Sequence, residues 1–479
     1  MDTRSFMFSS KKVGASIGSA TGSMGASTGS ATGSGMIAST GSATERNKIE
    51  VAGIYVNPSR NEWPALTERP KTDDPAIEAS VRATLEYVRE KKDEAVLSLE
   101  SRFDKASFVS ADELKVSDKE IEEASALVSG ELKAAIGQAY ANIRKFHQAQ
   151  MPETVKVETS PGVFCYQKPV PIRRVGLYVP GGRAPLFSTV LMLAVPAKVA
   201  GCPEIVLCTP PDSEGKANPV IVYAASVCGV RNIFKIGGAQ AVAAMAYGTE
   251  TVGKCDKIFG PGNRYVMKAK QLVGLTETAV DLPAGPSEVM VLADETAIPE
   301  FVAADFLSQS EHGPDSQSVL VCSSESVAEA VKDAIERQLS NLSRGDVIRE
   351  SLSHSRMIVL PDRQDITDFA KEYAPEHLIV SMRDPWEVAD RIVAAGSIFI
   401  GNYSPESAGD YASGTNHTLP TSGWAHSFSG LNLDAFIRKV TIQEISKEGL
   451  EGLGDTIRTM ALAEGLDAHA AAVEVRIKG

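Results

Sequence analysis

Two rhythms of apolar residues divide the chain. Between Asp74 and about Gln150 they recur at helical spacing, with Ile77, Val81, Leu85 and Val88 forming one face. Asp74-Pro75 opens this stretch as an N-cap followed by proline at the first helical position. Ser129 to Gln148 predicts a second long helix, with His147 near its end reading as structural. From Val175 the rhythm changes to short apolar runs separated by helical stretches. The runs are VGLYV (175–179), EIVLC (204–208), NIFKI (232–236), DKIFG (256–260), VMVLA (289–293), SVLVC (318–322), RMIVL (356–360), HLIVS (377–381) and SIFIG (397–401). Between them, Ser326 and Glu329 predict a capping box, and Asp384-Pro385 predicts a helix that Gly396 ends. Leu186 to Ala200 is the most apolar stretch; short, and interrupted by Pro196 and Lys198, it predicts a buried helix. Strands alternating with helices imply parallel sheets with helices on their faces. The units are too many for one ordinary sheet, so the expected fold class is α/β with two wound domains. A helical segment precedes them, and a helical tail with Leu450, Leu453, Ile457 and Met460 on one face follows.

Composition narrows the partners. The chain has 479 residues, 43% of them hydrophobic, enough for a large core. Its formal charge is −13 with no Lys/Arg-rich block, which argues against nucleic acid as the main partner. No uninterrupted apolar run reaches the roughly 18 residues a membrane span needs. Six cysteines without a C-x-x-C, mostly in apolar runs, read as buried thiols in a reducing compartment. Residues 1–49 differ in kind: Gly14 to Thr44 is nearly all Gly, Ser, Ala and Thr, with GSATGS at 18–23 and again at 29–34. Such a segment buries too little apolar surface to order itself. It reads as a flexible tail or scar, which leaves the protein cytoplasmic, or as a Ser-rich, acid-poor transit peptide, which would send it to a plastid. Scarce arginine and the lack of an amphipathic pattern weigh against the second.

The candidate chemistry centres on LSQSEHGPDSQ (307–317). Gln309 and His312 stand three apart, on one face of a helix predicted to open near Pro299 and to end at Gly313-Pro314. Alone, such a pair most often means a histidine at the negative end of a helix. Further polar clusters change that weighting: Glu376-His377, Asp410 with Asn416-His417, and Glu464 with His469. Four of only seven histidines fall in these clusters, beside carboxylates at element ends, which suits a metal or acid–base site. Gly and Pro gather where strands should end, at 180–182, 237–240, 260–263 and 283–287. Each reads equally well as an ordinary turn; together they suit a nucleotide-sized ligand at strand carboxyl ends.

These residues are familiar as a set. VGLYVPGG (175–182), FSTVLMLAVPAKVAGC (187–202), GGAQAVAAMAYGTE (237–250), IFGPGN (258–263), LPAGPSEV (282–289), LSQSEHGPDSQ (307–317), YAPEHLI (373–379), GDYASGTNHTLPT (409–421) and AEGLDAHAAAV (463–473) stand in one order over nearly the whole chain. From about Ile54 to Arg476 the chain resembles the histidinol dehydrogenases. The resemblance implies an oxidoreductase that takes L-histidinol through an aldehyde to L-histidine with two NAD and one zinc per subunit, the last steps of histidine biosynthesis. It implies a fold of two incomplete Rossmann-like domains: a disordered extension at 1–49, an arm at 50–74, a large catalytic domain from 75–177 plus 289–431, an inserted cofactor-side domain at 178–288, and a tail at 432–479. The zinc ligands it implies are Gln309, His312, Asp410 and His469. Residue chemistry alone would accept the last three and pass over Gln309, since an amide oxygen is a poor zinc ligand. The implied catalytic pair is Glu376, as base for the water, and His377, as base for the alcohol. Ser287, His417 and Glu464 would contact substrate along with His377 and the ligands. Tyr178, Gln240 and Asn263 would contact NAD. A homodimer is implied, in which the tail crosses to the partner so that Glu464 and His469 act in trans.

Departures from the family pattern are few. Ser310 stands where Ala is usual, Arg183 where Thr is common and Arg264 where Gln is common, and segment 422–428 differs. Arg183 and Arg264 flank the implied cofactor site and bear on its affinity. Two other readings compete. One is a zinc-dependent hydrolase using Glu376 as base, which needs no nucleotide. The other is an inactive relative that only binds, which the full set of expected residue types argues against.

Overall fold

In the computed structural model the described residues are 53–70, 74–181 and 185–479. The expectations for segment 1–49 and for Arg183 lie outside them. Each of the apolar runs from Val175 onward is a strand, within a residue or so at its ends. They sort into two parallel sheets.

The first sheet has five strands in the order Asn232–Lys235, Glu204–Thr209, Arg174–Tyr178, Lys257–Phe259, Ala279–Val280. Taken in chain order this is 3-2-1-4-5, the Rossmann order without its last strand. The second has six strands in the order Ile54–Val56, Arg356–Val359, Gln317–Cys322, Glu288–Ala293, His377–Ser381, Ser397–Ile400. Without its short first edge strand it repeats the same 3-2-1-4-5 order. Central strands of both sheets are buried on both faces, which is why they read as continuous apolar runs rather than alternating ones.

Helices cover both faces of each sheet. Pro75–Phe103, capped by Asp74 as expected, packs its Ile77–Val81–Leu85–Val88 face on the small-residue helix Gly238–Tyr247. Gly130–Gln148 and Phe187–Ala200, buried along most of its length, lie on the opposite face. The helices of 75–148 therefore belong with the five-stranded sheet rather than with residues 289–431, contrary to the expected grouping. Their apolar faces fit alanine-rich neighbours that lie far off in sequence. His147 is buried and hydrogen-bonded to the Ile143 carbonyl at 2.8 Å, as a structural histidine should be. All six cysteines are free, and all but Cys165 are buried.

Several local expectations fail. The Ser326–Glu329 capping box does not form, because Glu325–Leu339 starts two residues earlier, from an extended Ser324. Asp384-Pro385 does start a helix, but it stops at Ala389 rather than running to Gly396. Pro299–Ser310 ends two residues before His312, so the pair Gln309 and His312 straddles the helix end instead of sharing its last turn. A third, antiparallel sheet of Ile437–Ile445, Val163–Pro171 and Val155–Ser160 joins the start of the tail to the segment before the first Rossmann strand. The two tail helices, Lys447–Ala463 and Asp467–Lys478, follow it. No described helix is long and apolar enough to cross a membrane.

Candidate active site

The site lies where the carboxyl ends of the five-stranded sheet face the amino ends of the six-stranded one. Strands Glu288–Ala293 and His377–Ser381 are parallel neighbours with His377 opposite Val289, so Glu288, Glu376 and His377 emerge at one edge. Helix Pro299–Ser310 leaves the far end of the first of these strands and runs back. Its C-terminus brings Gln309, then His312, to the same edge. Helix Glu406–Tyr411 adds Glu406 and, one turn on, Asp410. Gln309, His312, Glu376, His377 and Asp410 line a cavity of about 150 Å³ together with Ser287, His417, Thr189, Lys270 and Asp281, with Glu288 and Glu406 buried beside it.

His377 is the hub. Its Nδ1 is 3.1 Å from the Glu288 carbonyl oxygen. A carbonyl only accepts, so Nδ1 carries the hydrogen, and in the neutral ring Nε2 holds the lone pair. Nε2 is buried without a hydrogen-bond partner, 3.7 Å from Asp410 Oδ1. Glu376 Oε2 and Glu406 Oε1 stand 3.6 and 3.9 Å from Nδ1. Burial by itself lowers the imidazole, but Glu406, Glu376 and Asp410 outweigh it and raise it well above the usual histidine range. Burial also raises Glu406 strongly, His377 only partly offsetting it. Asp410 is pulled the other way: burial would raise it, and the imidazoles of His377, His417 and His312 hold it low. His417 is fixed by Nδ1 on the Asp410 carbonyl at 3.1 Å and Nε2 near Thr189 Oγ1 at 3.4 Å.

Negative charge is thus packed round one imidazole, which suits a cation. Ligand atoms of His312, Glu406 and Asp410 lie within 4.8 Å of one another, an arrangement able to hold a metal ion. Gln309 is fully buried beside them. Oriented so that both ends of its amide are satisfied, it donates to the Glu406 carboxylate and accepts from the Glu288 N–H at 2.7 Å. That same N–H also reaches Glu376 Oε2 at 2.7 Å.

Of the residues singled out in the sequence, Ser287, Gln309, His312, Glu376, His377, Asp410 and His417 therefore meet in one cavity. Glu464 and His469 do not join them within the chain. Both are exposed on the tail, whose helices pack chiefly on each other.

Tyr178, Gln240 and Asn263 gather in a groove of about 910 Å³ at the carboxyl ends of the five-stranded sheet. Tyr178 and Gln240 are buried; the Tyr178 hydroxyl accepts the Gly238 N–H at 3.2 Å. Asn263 caps helix Arg264–Gly274 through Oδ1, leaving its amide NH₂ for a ligand. A second hollow of about 530 Å³ shares Pro180 and Asn263 with this groove and shares Ser287 and His312 with the catalytic cavity, making one continuous path. Arg264 lies on that hollow and is paired with Asp315. The turn at Gly260 admits only glycine: φ is +122°, and a Cβ would collide with the Tyr178 carbonyl.

Three contributors were missed in the sequence. Glu406 had a signal, its i, i+4 spacing to Asp410. Arg69, which pairs with buried Glu288 at 3.0 Å, and the Lys270–Asp281 pair, which brackets Gly260, had none. They are joined only by the fold.

Comparison with known proteins bears on what this arrangement does. Residues 67–477 match the family model described as histidinol dehydrogenase. The chain is 55% identical over 421 residues to histidinol dehydrogenase of Bacteroides fragilis, covering 88% of this chain and 98% of that one. It is 51% identical over 428 residues to that of Aliivibrio fischeri, covering 89% and 96%. The crystal structure of histidinol dehydrogenase from Elizabethkingia anophelis superposes with a TM-score of 0.86 at 49% identity, covering 89% and 98%.

Proposed function

The chain belongs to the histidinol dehydrogenase family, and from that premise we propose how its cavity turns L-histidinol into L-histidine. The family makes it an NAD-dependent oxidoreductase of histidine biosynthesis. The observation that carries the residue assignment is the unpartnered, buried Nε2 of His377.

In the first oxidation a hydride would pass from the substrate carbon to NAD⁺, and the hydroxyl proton to Nε2 of His377 in its neutral form, which a cation in the site would favour by offsetting the carboxylates that raise the imidazole. The aldehyde then takes up water. Glu376 Oε2 is engaged by the Glu288 N–H, which holds the carboxylate and leaves Oε1 to accept the water proton. As the hydrate gives up a hydride to a second NAD⁺, its remaining hydroxyl proton would pass to His377 Nε2, which has by then released the first, and the product leaves as the carboxylate. Ser287 and His417 orient the substrate from the cavity wall.

A zinc ion would be held by Gln309, His312, Asp410 and His469 of the partner subunit. When bound, such an ion offsets the crowd of carboxylates and anchors the substrate's imidazole and amine. The donor set fits: carboxylate and imidazole atoms already converge. Gln309, a weak ligand on chemical grounds, is helped by its surroundings. Glu406 grips its NH₂, and the Glu288 N–H has Glu376 as a second acceptor, so the Gln309 carbonyl oxygen can turn to a cation without orphaning a buried donor.

The tail reading, with Glu464 and His469 acting across a homodimer, is supported by exposed apolar surface. Met460, Leu462, Leu466 and Val475 on the tail helices, and Val155, Val157, Val440, Ile442 and Ile445 on the antiparallel sheet, all lie exposed in the single chain. So much exposed apolar surface on the tail and the sheet it extends from suits burial against a second copy.

The test is absorbance at 340 nm with NAD and L-histidinol, before and after chelation. Two NADH per histidinol, lost on chelation and restored by zinc, is the expected result. A single NADH per substrate removes the role given to Glu376, and activity indifferent to chelation removes the zinc.

A further inference from the structure

The geometry points to Asp104 as the group that receives the ribose hydroxyls of the cofactor's adenosine half and excludes a 2′-phosphate there. The inference rests on the reading that the groove of Tyr178, Gln240 and Asn263 takes NAD. Hydride leaves from the His377 cavity, so the nicotinamide must reach that end. The path runs from the cavity past Ser287 and His312, through the hollow at Asn263, and into the groove. The adenosine half therefore occupies the far groove, and Asp104 is on its wall.

Asp104 is the C-cap of helix Pro75–Phe103 and is half-buried. Its Oδ2 is 3.4 Å from Gln240 Nε2. One turn earlier Glu100 is fully buried and accepts the Gly237 N–H at 3.1 Å and Gln240 Nε2 at 2.9 Å, both on Oε1. Its Oε2 has no partner. Burial, with the Asp104 charge behind it, pushes Glu100 up to about 8. Burial raises Asp104 as well, with the Glu100 carboxyl opposing that rise, so the more deeply buried inner carboxyl is the one that favours a proton and the outer one the one that favours the charge. An anionic acceptor at the groove wall suits a vicinal diol, whose two hydroxyls both donate. It repels a phosphate, and among the described residues no lysine or arginine lines this groove to compensate.

In a Rossmann fold the ribose acid ordinarily comes from just beyond the second strand. Here that position holds Asp212, beyond Glu204–Thr209. Asp212 also lines the groove, but it is exposed, and its Oδ1 is held by the backbone N–H groups of Glu214 and Lys216 in its own turn. A helix from outside the sheet supplies the acid instead.

The test is calorimetric titration of the zinc-loaded, full-length enzyme with ADP-ribose and with its 2′-phosphate, ligands that carry no nicotinamide and report no turnover. A carboxylate about 5 Å from a phosphate implies a preference of roughly a hundredfold for the unphosphorylated ligand. Asp104→Asn should weaken ADP-ribose about tenfold and bring the two ligands within a few-fold of each other. Asp104→Ser, which keeps a capping-competent side chain without charge, serves where Asn disturbs the helix end. Asp212→Asn should leave both affinities unchanged. Equal binding of the two ligands by the unaltered enzyme, or a preference that survives both Asp104 variants, overturns the inference. So does a preference abolished by Asp212→Asn. Asn263→Ala separates this from the groove reading. If it weakens ADP-ribose while the Asp104 variants do not, the ribose contact alone is wrong. If neither position matters, the groove is not the cofactor site.

Discussion

Arg69 shows how much a single side chain outside the cavity can hold. Its guanidinium meets both Glu288 oxygens, at 3.0 and 3.2 Å, donates to the Tyr373 carbonyl, and lies 3.8 Å over the Tyr373 ring. Both partners adjoin the catalytic pair: Glu288 N–H holds Glu376, and Tyr373 leads through Ala374, at φ +50°, into Pro375 and Glu376. Burial raises Glu288 and Arg69 counters it. Arg69→Met leaves a buried carboxylate unpaired, a loss of about 3–5 kcal/mol by the measure of broken buried ion pairs. The melting temperature should fall by several degrees, and Arg69→Lys should restore only part of it because an ammonium cannot make the forked contact. An unchanged melting temperature in Arg69→Met removes this role. Glu376→Gln should slow the aldehyde step about a hundredfold or more while the first oxidation persists. A single-turnover trace would then show one fast NADH followed by a slow one. Two equally fast phases would relieve Glu376 of the water.

At the scale of elements, the last turn of Pro75–Phe103 carries a strongly displaced titration. Glu100 sits near 4.5 in an open chain and about 8 in the fold. Between those values the native state keeps a proton that the unfolded chain has released, so this group's contribution to stability falls as pH rises through that window. Every tenfold difference in proton affinity between the two states is worth about 1.4 kcal/mol, so the whole effect is a few kcal/mol. Glu100→Gln keeps an amide oxygen for Gln240 and Gly237 and removes the charge. Its melting temperature should therefore fall less between pH 5 and pH 8 than that of the unaltered chain, which parallel melts would show; matching slopes would mean Glu100 titrates normally. The elements themselves were legible wherever one signal dominated. Continuous apolar runs marked the central strands, and Asp74-Pro75 marked a helix start. Ile437–Ile445 was missed because its side chains are almost all exposed, mixing Lys and Arg with Val and Ile, with no clean period of two. The Ser326–Glu329 box was misplaced because Ser324 and Ser326 both offer a cap, and only the strand ahead decides which residue is extended.

The whole molecule has a tail that its own chain does not fully cover. Glu464 and His469 project from helices that pack on each other, next to an antiparallel sheet whose apolar side chains lie exposed on both faces. Two inactive variants, His469→Ala and His377→Ala, should recover part of their activity when their subunits are mixed, since one of the hybrid's two sites is then intact. No recovery with demonstrated subunit exchange would return the tail to its own chain. Bound zinc, measured on His469→Ala alone, should fall with activity.

The sequence by itself determined the α/β class, the strands of the two wound sheets from Val175 onward, and the family, because local periodicity and long contiguous motifs survive without three dimensions. It also named the residues that meet at His377, through motif resemblance rather than spacing. What only the tertiary structure decided is which of them touch. Pairing of Arg69 with Glu288 spans 219 positions, and Glu100 meets Gln240 across 140. No local pattern encodes such contacts; they follow from how helices pack on sheets. The packing also set the chemistry of the groups. The same glutamate side chain accepts a backbone N–H at Glu376, grips an amide at Glu406 and is pushed toward the neutral acid at Glu100, according to what surrounds it.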